Sequence, residues 1–106
     1  MGYEFDATAI LDFSGTRYRG VEVVVRADVS IGEYQAFLDA TTLDNEWTWF
    51  QRHALVSWNI EKEGVPMPIS TPASGLPAPF IRRVLRGWQT AFAEIDAPLD
   101  LPSTSP

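Results

Sequence analysis

The sequence predicts an α+β fold: an N-terminal β-hairpin and a third strand packed with about three α-helices, with a flexible C-terminal tail. Three observations lead there. Apolar and polar residues alternate along two stretches before residue 30, which is the period of a half-buried strand. A helix-capping pattern follows at residues 30–33, and a long 3.6-residue apolar period runs through residues 80–95. The chain has 106 residues, enough for one hydrophobic core and too few for two. The expected organisation is a single domain over 1–96 and an extended Pro/Ser-containing tail over 97–106.

Over 8–13, Ala9, Leu11 and Phe13 share one side of a strand. Ser14-Gly15-Thr16 has turn chemistry, placing the hairpin turn within 14–19. Over 21–27, Val21, Val23, Val25 and Ala27 share a face while Glu22 and Arg26 lie opposite, and such β-branched enrichment suits a pleated surface. Ser30-Ile31-Gly32-Glu33 reads as a capping box that opens a helix with Ile31, Tyr34, Phe37 and Leu38 on its packed side. Thr41-Thr42 interrupts it. Asp44 is the expected cap of a second helix from Asn45 to about Leu55, with Trp47, Phe50, Ala54 and Gln51 on one stripe and Trp49 off it.

The alternation over 56–60 predicts a strand with Val56, Trp58 and Ile60 inward. Glu61-Lys62-Glu63-Gly64 is a polar turn, and the prolines at 66 and 68 keep the extended return out of a central sheet position. Residues 70–76 read as a loop. Pro77 and Pro79 fit the first turn of a final helix, where their missing amides would be unpaired anyway. Phe80, Ile81, Val84, Leu85, Trp88, Ala91, Phe92 and Ile95 form its apolar stripe, with Arg82, Arg83, Arg86, Gln89 and Glu94 opposite. Gly87 weakens that helix by roughly 1 kcal/mol relative to Ala and would permit a close helix crossing.

Composition narrows the function. There is no cysteine, so disulfides, thiolate metal sites and thiol chemistry are excluded. Fourteen acidic residues against eight basic ones give a net charge of -6, the wrong sign for a duplex-DNA binder. The apolar runs are too short to span a bilayer, and the acidic start, Met1-Gly2-Tyr3-Glu4-Phe5-Asp6, lacks a signal-peptide pattern. The single histidine, His53, reads as a helix-flank residue, having no partner at ligand spacing. The acidic pairs Asp39/Asp44 and Glu61/Glu63 lie beside turns, the ordinary place for solvated carboxylates. No Gly-x-Ser-x-Gly elbow, phosphate-cradling loop or His-Glu-x-x-His occurs. Neither an enzyme nor a cofactor is expected. The features left are aromatic and cationic, and the candidate protein-binding residues are Trp47, Trp49, Phe50, Arg82, Arg86 and Trp88. Core packing is the more frequent fate of any one of those aromatics, and a solvated face that of the arginines.

Several local phrases carry a resemblance. They are Tyr18-Arg19-Gly20-Val21-Glu22-Val23, then Val56-Ser57-Trp58-Asn59-Ile60, an acidic turn with Gly64, and Val65-Pro66-Met67-Pro68. A Thr/Ser-Gly loop, the helix with Arg86-Gly87-Trp88, and a tail with Ala97-Pro98-Leu99 complete the set. From about Leu11 onward the order of these phrases resembles the tail assembly chaperones of long-tailed actinobacteriophages. The resemblance implies a protein that binds the tape measure protein and keeps it soluble while tail tube protein polymerises around it. It implies action in the host cytoplasm and absence from the mature virion. It also implies a longer form made by programmed frameshifting near residues 98–106. Expected partners are the tape measure protein, the tail tube protein and that longer form, with weak homo-oligomers besides; no nucleic acid and no membrane are expected. The alternative is a small structural virion protein, a tail or head-completion component that stays in the particle.

Overall fold

The valines that alternate before residue 27 do pair as a hairpin. In the computed structural model, which describes residue 2 and residues 7–96 (of 94–96 the backbone alone), β1 is Thr8–Leu11 and β2 is Val23–Arg26. They run antiparallel, with Thr8 opposite Arg26 and Leu11 opposite Val23. Leu11, Phe13, Val23, Val25 and Ala27 are buried, as the alternation predicts. β3, Leu55–Trp58, lies on the other side of β2 and completes an antiparallel sheet in the order β1-β2-β3. With α1 (Ile31–Asp39), α2 (Leu43–His53) and α3 (Ala78–Asp96), this is the expected α+β class.

β3 departs from the predicted pattern in a way the register explains. Val25 faces Leu55 and Val24 faces Ser57, so Val56 is an extra residue without a partner on β2. Such a bulge lets Leu55 and Trp58, three positions apart, both stand opposite inward-facing valines. Val56 is thereby turned outward and is 43% exposed, contrary to the inward placement expected of it. Trp58 and Ile60 do pack against the core.

The capping box forms in full: the Ser30 hydroxyl accepts from the Glu33 amide at 3.1 Å, and the Ser30 amide donates to the Glu33 carboxylate at 3.0 Å. Only one edge of α1 is packed, however. Phe37 is buried and Tyr34 half-buried, whereas Ile31 is 87% exposed and Leu38 50% exposed. The helix leans on α2 and α3 along Tyr34 and Phe37, which leaves the rest of the expected stripe in solvent. α2 begins two residues earlier than expected. Thr42 is its cap, with its hydroxyl accepting from the Asn45 amide, and Asp44 sits in the first turn, where its charge suits the helix dipole. The helix ends at His53, and Leu55 belongs to β3.

Beyond β3 the chain makes a second, two-stranded sheet, β4 (Glu61–Lys62) with β5 (Val65–Pro66). The two residues between them both have positive φ, Glu63 at 53° and Gly64 at 81°, the geometry of a tight hairpin turn that glycine adopts at no cost. A short 3-10 turn at Ala73–Gly75 leads to α3, whose Phe80, Ile81, Val84, Leu85 and Trp88 are buried. Gly87 meets the Leu11 side chain of β1 rather than another helix, so the close approach here is helix on sheet. The Ile95 side chain and the tail over 97–106 lie outside the described residues, as do residues 3–6.

α2 and α3 cover the sheet face that carries Leu11, Val23, Val25 and Leu55, α1 packs on those two helices, and Ile10 and Val56 stand on the open side. Among the described residues, no helix is long and apolar enough to cross a membrane.

The capping box yields a pH-dependent expectation. Ser30→Ala is expected to cost about 1 kcal/mol in urea denaturation. The Ser30 amide also holds the Glu33 carboxyl below the ordinary glutamate range. A carboxylate whose folded pKa is depressed stabilises the fold above its unfolded pKa and loses that contribution as pH falls through the folded value. The cost of Glu33→Ala, present at neutral pH, should therefore fade in acid; a cost that grew on acidification would contradict the assignment.

Candidate functional site

Four of the six residues singled out for binding are built into the interior. Trp47, Phe50 and Trp88 are fully buried, and so they form no docking surface. Trp88 meets Tyr34, Trp49 and Phe92 at a tilt and Phe37 and Phe50 edge-on, at ring separations of 5.1–5.9 Å. Trp47 packs on Phe50 and Trp58. Trp49, off the stripe of α2, is half-buried between Phe37, Trp88 and the His53 ring. The physical reason is demand: one small domain with helices on one face of a sheet needs bulky rings to fill the space between them. His53 lies 3.6 Å from the Glu33 carboxylate, on the helix flank.

The remaining two, Arg82 and Arg86, are exposed, and with Arg83 they line one wall of a groove of about 570 Å³. The opposite wall is the first strand and its end, from Ile10 to Phe13. Among the described residues, no carboxylate lies within 4 Å of any of these three guanidinium groups. Asp12 stands at the same groove; the Ser14 amide donates to its carboxylate at 2.9 Å and keeps its pKa below the usual aspartate value.

A second concavity, of about 250 Å³, opens where the hairpin loop meets the approach to α3. Its walls are Tyr18, Val21, Ile60, Met67, Leu76 and Phe80, with Glu61 and Lys62 also lining it. Its volume falls just below the roughly 300–1,000 Å³ of small-molecule sites. The notch and the groove are separated by the stacked rings of Phe13 and Phe80, 5.9 Å apart.

The notch is held by polar contacts with long sequence separation. The Asn59 side chain accepts from the Glu22 amide at 2.8 Å and donates to the Gly20 carbonyl at 3.0 Å. The Asn59 amide donates in turn to the Glu22 carbonyl. Gly20, at φ 94°, takes a conformation that a larger residue would adopt only under strain. The Trp58 indole donates to the Met67 carbonyl at 2.7 Å, and the Met67 amide donates to Ile60. Further along, the Trp47 indole and the Gln51 amide hold the loop at Thr71 and Ile69. The phrases around 18–23, 56–60 and 65–68 thus meet at one place. The phrases are visible in the sequence and the notch is not, because the bonds that join Gly20 and Glu22 to Asn59 span 39 and 37 residues.

No protein-family model matches the chain, and neither does a curated protein or a solved structure.

The arginines contribute little to folding on this geometry. Arg82→Glu, Arg83→Glu and Arg86→Glu should each shift stability by no more than about 0.5 kcal/mol, as measured by thermal or urea denaturation. A loss of several kcal/mol would show that the guanidinium groups hold the fold.

Proposed function

We propose that the protein is a tail assembly chaperone of a long-tailed phage, which binds the tape measure protein through the apolar notch and keeps it soluble during tail tube assembly. One observation carries the reading. The phrases on which the resemblance rests, 18–23, 56–60 and 65–68, converge on the notch, where Tyr18, Val21, Ile60 and Met67 present apolar surface beside Asn59 and its clamp. A chaperone for a long helical client needs apolar concavities that accept i, i+3 and i+4 side chains, and a charged periphery that keeps it soluble. Glu61 and Lys62 beside the notch and a net charge of -6 meet those needs. This site replaces Trp47, Phe50 and Trp88, whose burial removes them from contact with any client.

The test is co-purification with the tape measure protein after co-expression. Met67→Glu and Leu76→Glu should each abolish recovery of soluble client, since a carboxylate in an apolar notch is costly to desolvate. Ile31→Glu, on the exposed side of α1, should leave recovery unchanged. Undiminished recovery with both notch variants would overturn the assignment of the site.

A further inference from the structure

We propose that the groove between β1 and α3 takes an extended acidic segment of a partner polypeptide, which adds as a further strand on the free edge of β1. The inference does not depend on the identity of the client at the notch.

The first ground is the edge. In the order β1-β2-β3, one side of β1 has no neighbouring strand among the described residues. The Ala27 amide donates to the Ala7 carbonyl, and antiparallel alternation then turns Ala9 and Leu11 toward β2 and the backbone groups of Thr8 and Ile10 outward. Proteins usually blunt such an edge with a charge, a proline or a bulge. Thr8-Ala9-Ile10-Leu11 contains neither charge nor proline and pairs in unbroken register, and Ile10 is 66% exposed.

The second ground is charge. Three of the eight basic residues in a chain of net charge -6 stand along one groove wall, Arg82, Arg83 and Arg86, with no carboxylate within 4 Å among the described residues. α3 is in direct contact with β1, since a Cβ on Gly87 would lie 3.5 Å from Leu11. The cations therefore flank the edge itself. They select the occupant. A second copy pairing edge to edge would bring two arginine clusters together, which like-charge repulsion opposes. A nucleic acid would meet the ionised Asp12 and an acidic protein, and it offers no alternating amides and carbonyls to a strand edge. An acidic polypeptide satisfies both features at once. At about 3.4 Å per residue, the four residues of β1 offer about 14 Å of edge. Alternate side chains of the added strand would face the arginines and Ile10, so the segment should alternate acidic with apolar residues.

The experiment is fluorescence anisotropy of the full chain with a labelled, end-blocked peptide of four Glu-Val repeats. Saturable binding is expected, weakened at least tenfold by the Arg82→Glu/Arg86→Glu double variant and at least tenfold by N-methylation of alternate peptide amides. The methylated peptide leaves the protein untouched, so its loss of binding cannot arise from misfolding. A Lys-Val peptide should not bind. The proposal is overturned if no Glu-Val binding is seen, or if N-methylation or charge reversal has no effect. Tighter binding of a single-stranded oligonucleotide would assign the groove to phosphate instead. A dimer of the protein alone that dissociates on Ile10→Pro would assign the edge to a second copy.

Discussion

The indole of Trp88 is the point on which the rest of the structure depends. It is fully buried, touches rings from α1 and α2, and donates its Nε1 proton to the Arg26 carbonyl of β2 at 2.8 Å. Arg26 in turn donates its amide to the Ala54 carbonyl at the end of α2, and its guanidinium to the His53 carbonyl. One side chain on α3 thus ties the sheet to the other two helices. A fully buried indole needs that hydrogen bond, because an unpaired N–H in an apolar interior costs on the order of 1–3 kcal/mol.

The same logic organises the loops. Trp47 and Trp58 are rings of the core whose N–H groups reach outward to carbonyls of the 67–71 segment. The interior therefore fixes the segment that builds the notch. Local rigidity at the notch comes from the core, and its apolar walls come from buried Phe80 and from half-buried residues at the edge of that core, Tyr18, Val21, Ile60 and Leu76. On the opposite side of the Phe13–Phe80 stack, α3 offers its polar face to a bare strand edge. One helix thereby separates an apolar surface from a cationic one.

Local chemistry was legible in the sequence wherever near neighbours decide it. The Ser30–Glu33 box, the alternation of Val23, Val25 and Ala27, and the apolar stripe of α3 all rest on contacts within a few residues. What escaped depended on tertiary register. The bulge at Val56 reverses a strand face, and no local pattern marks it. The exposure of Ile31 and Leu38 follows from which edge of α1 meets the other helices. The tryptophans stand out in the sequence for their chemistry, but whether a ring lies inside or outside is settled by the volume left between sheet and helices. The notch was invisible because Asn59 and Gly20 meet only in the fold.

The most direct measurement is equilibrium urea denaturation of Trp88→Ala, followed by far-ultraviolet circular dichroism. Removing a fully buried aromatic side chain of this kind costs about 3–5 kcal/mol, a large share of the roughly 5–15 kcal/mol that holds a small domain together. A loss of that size, in one cooperative transition, is expected. A loss below about 1 kcal/mol would contradict the central place given to this indole.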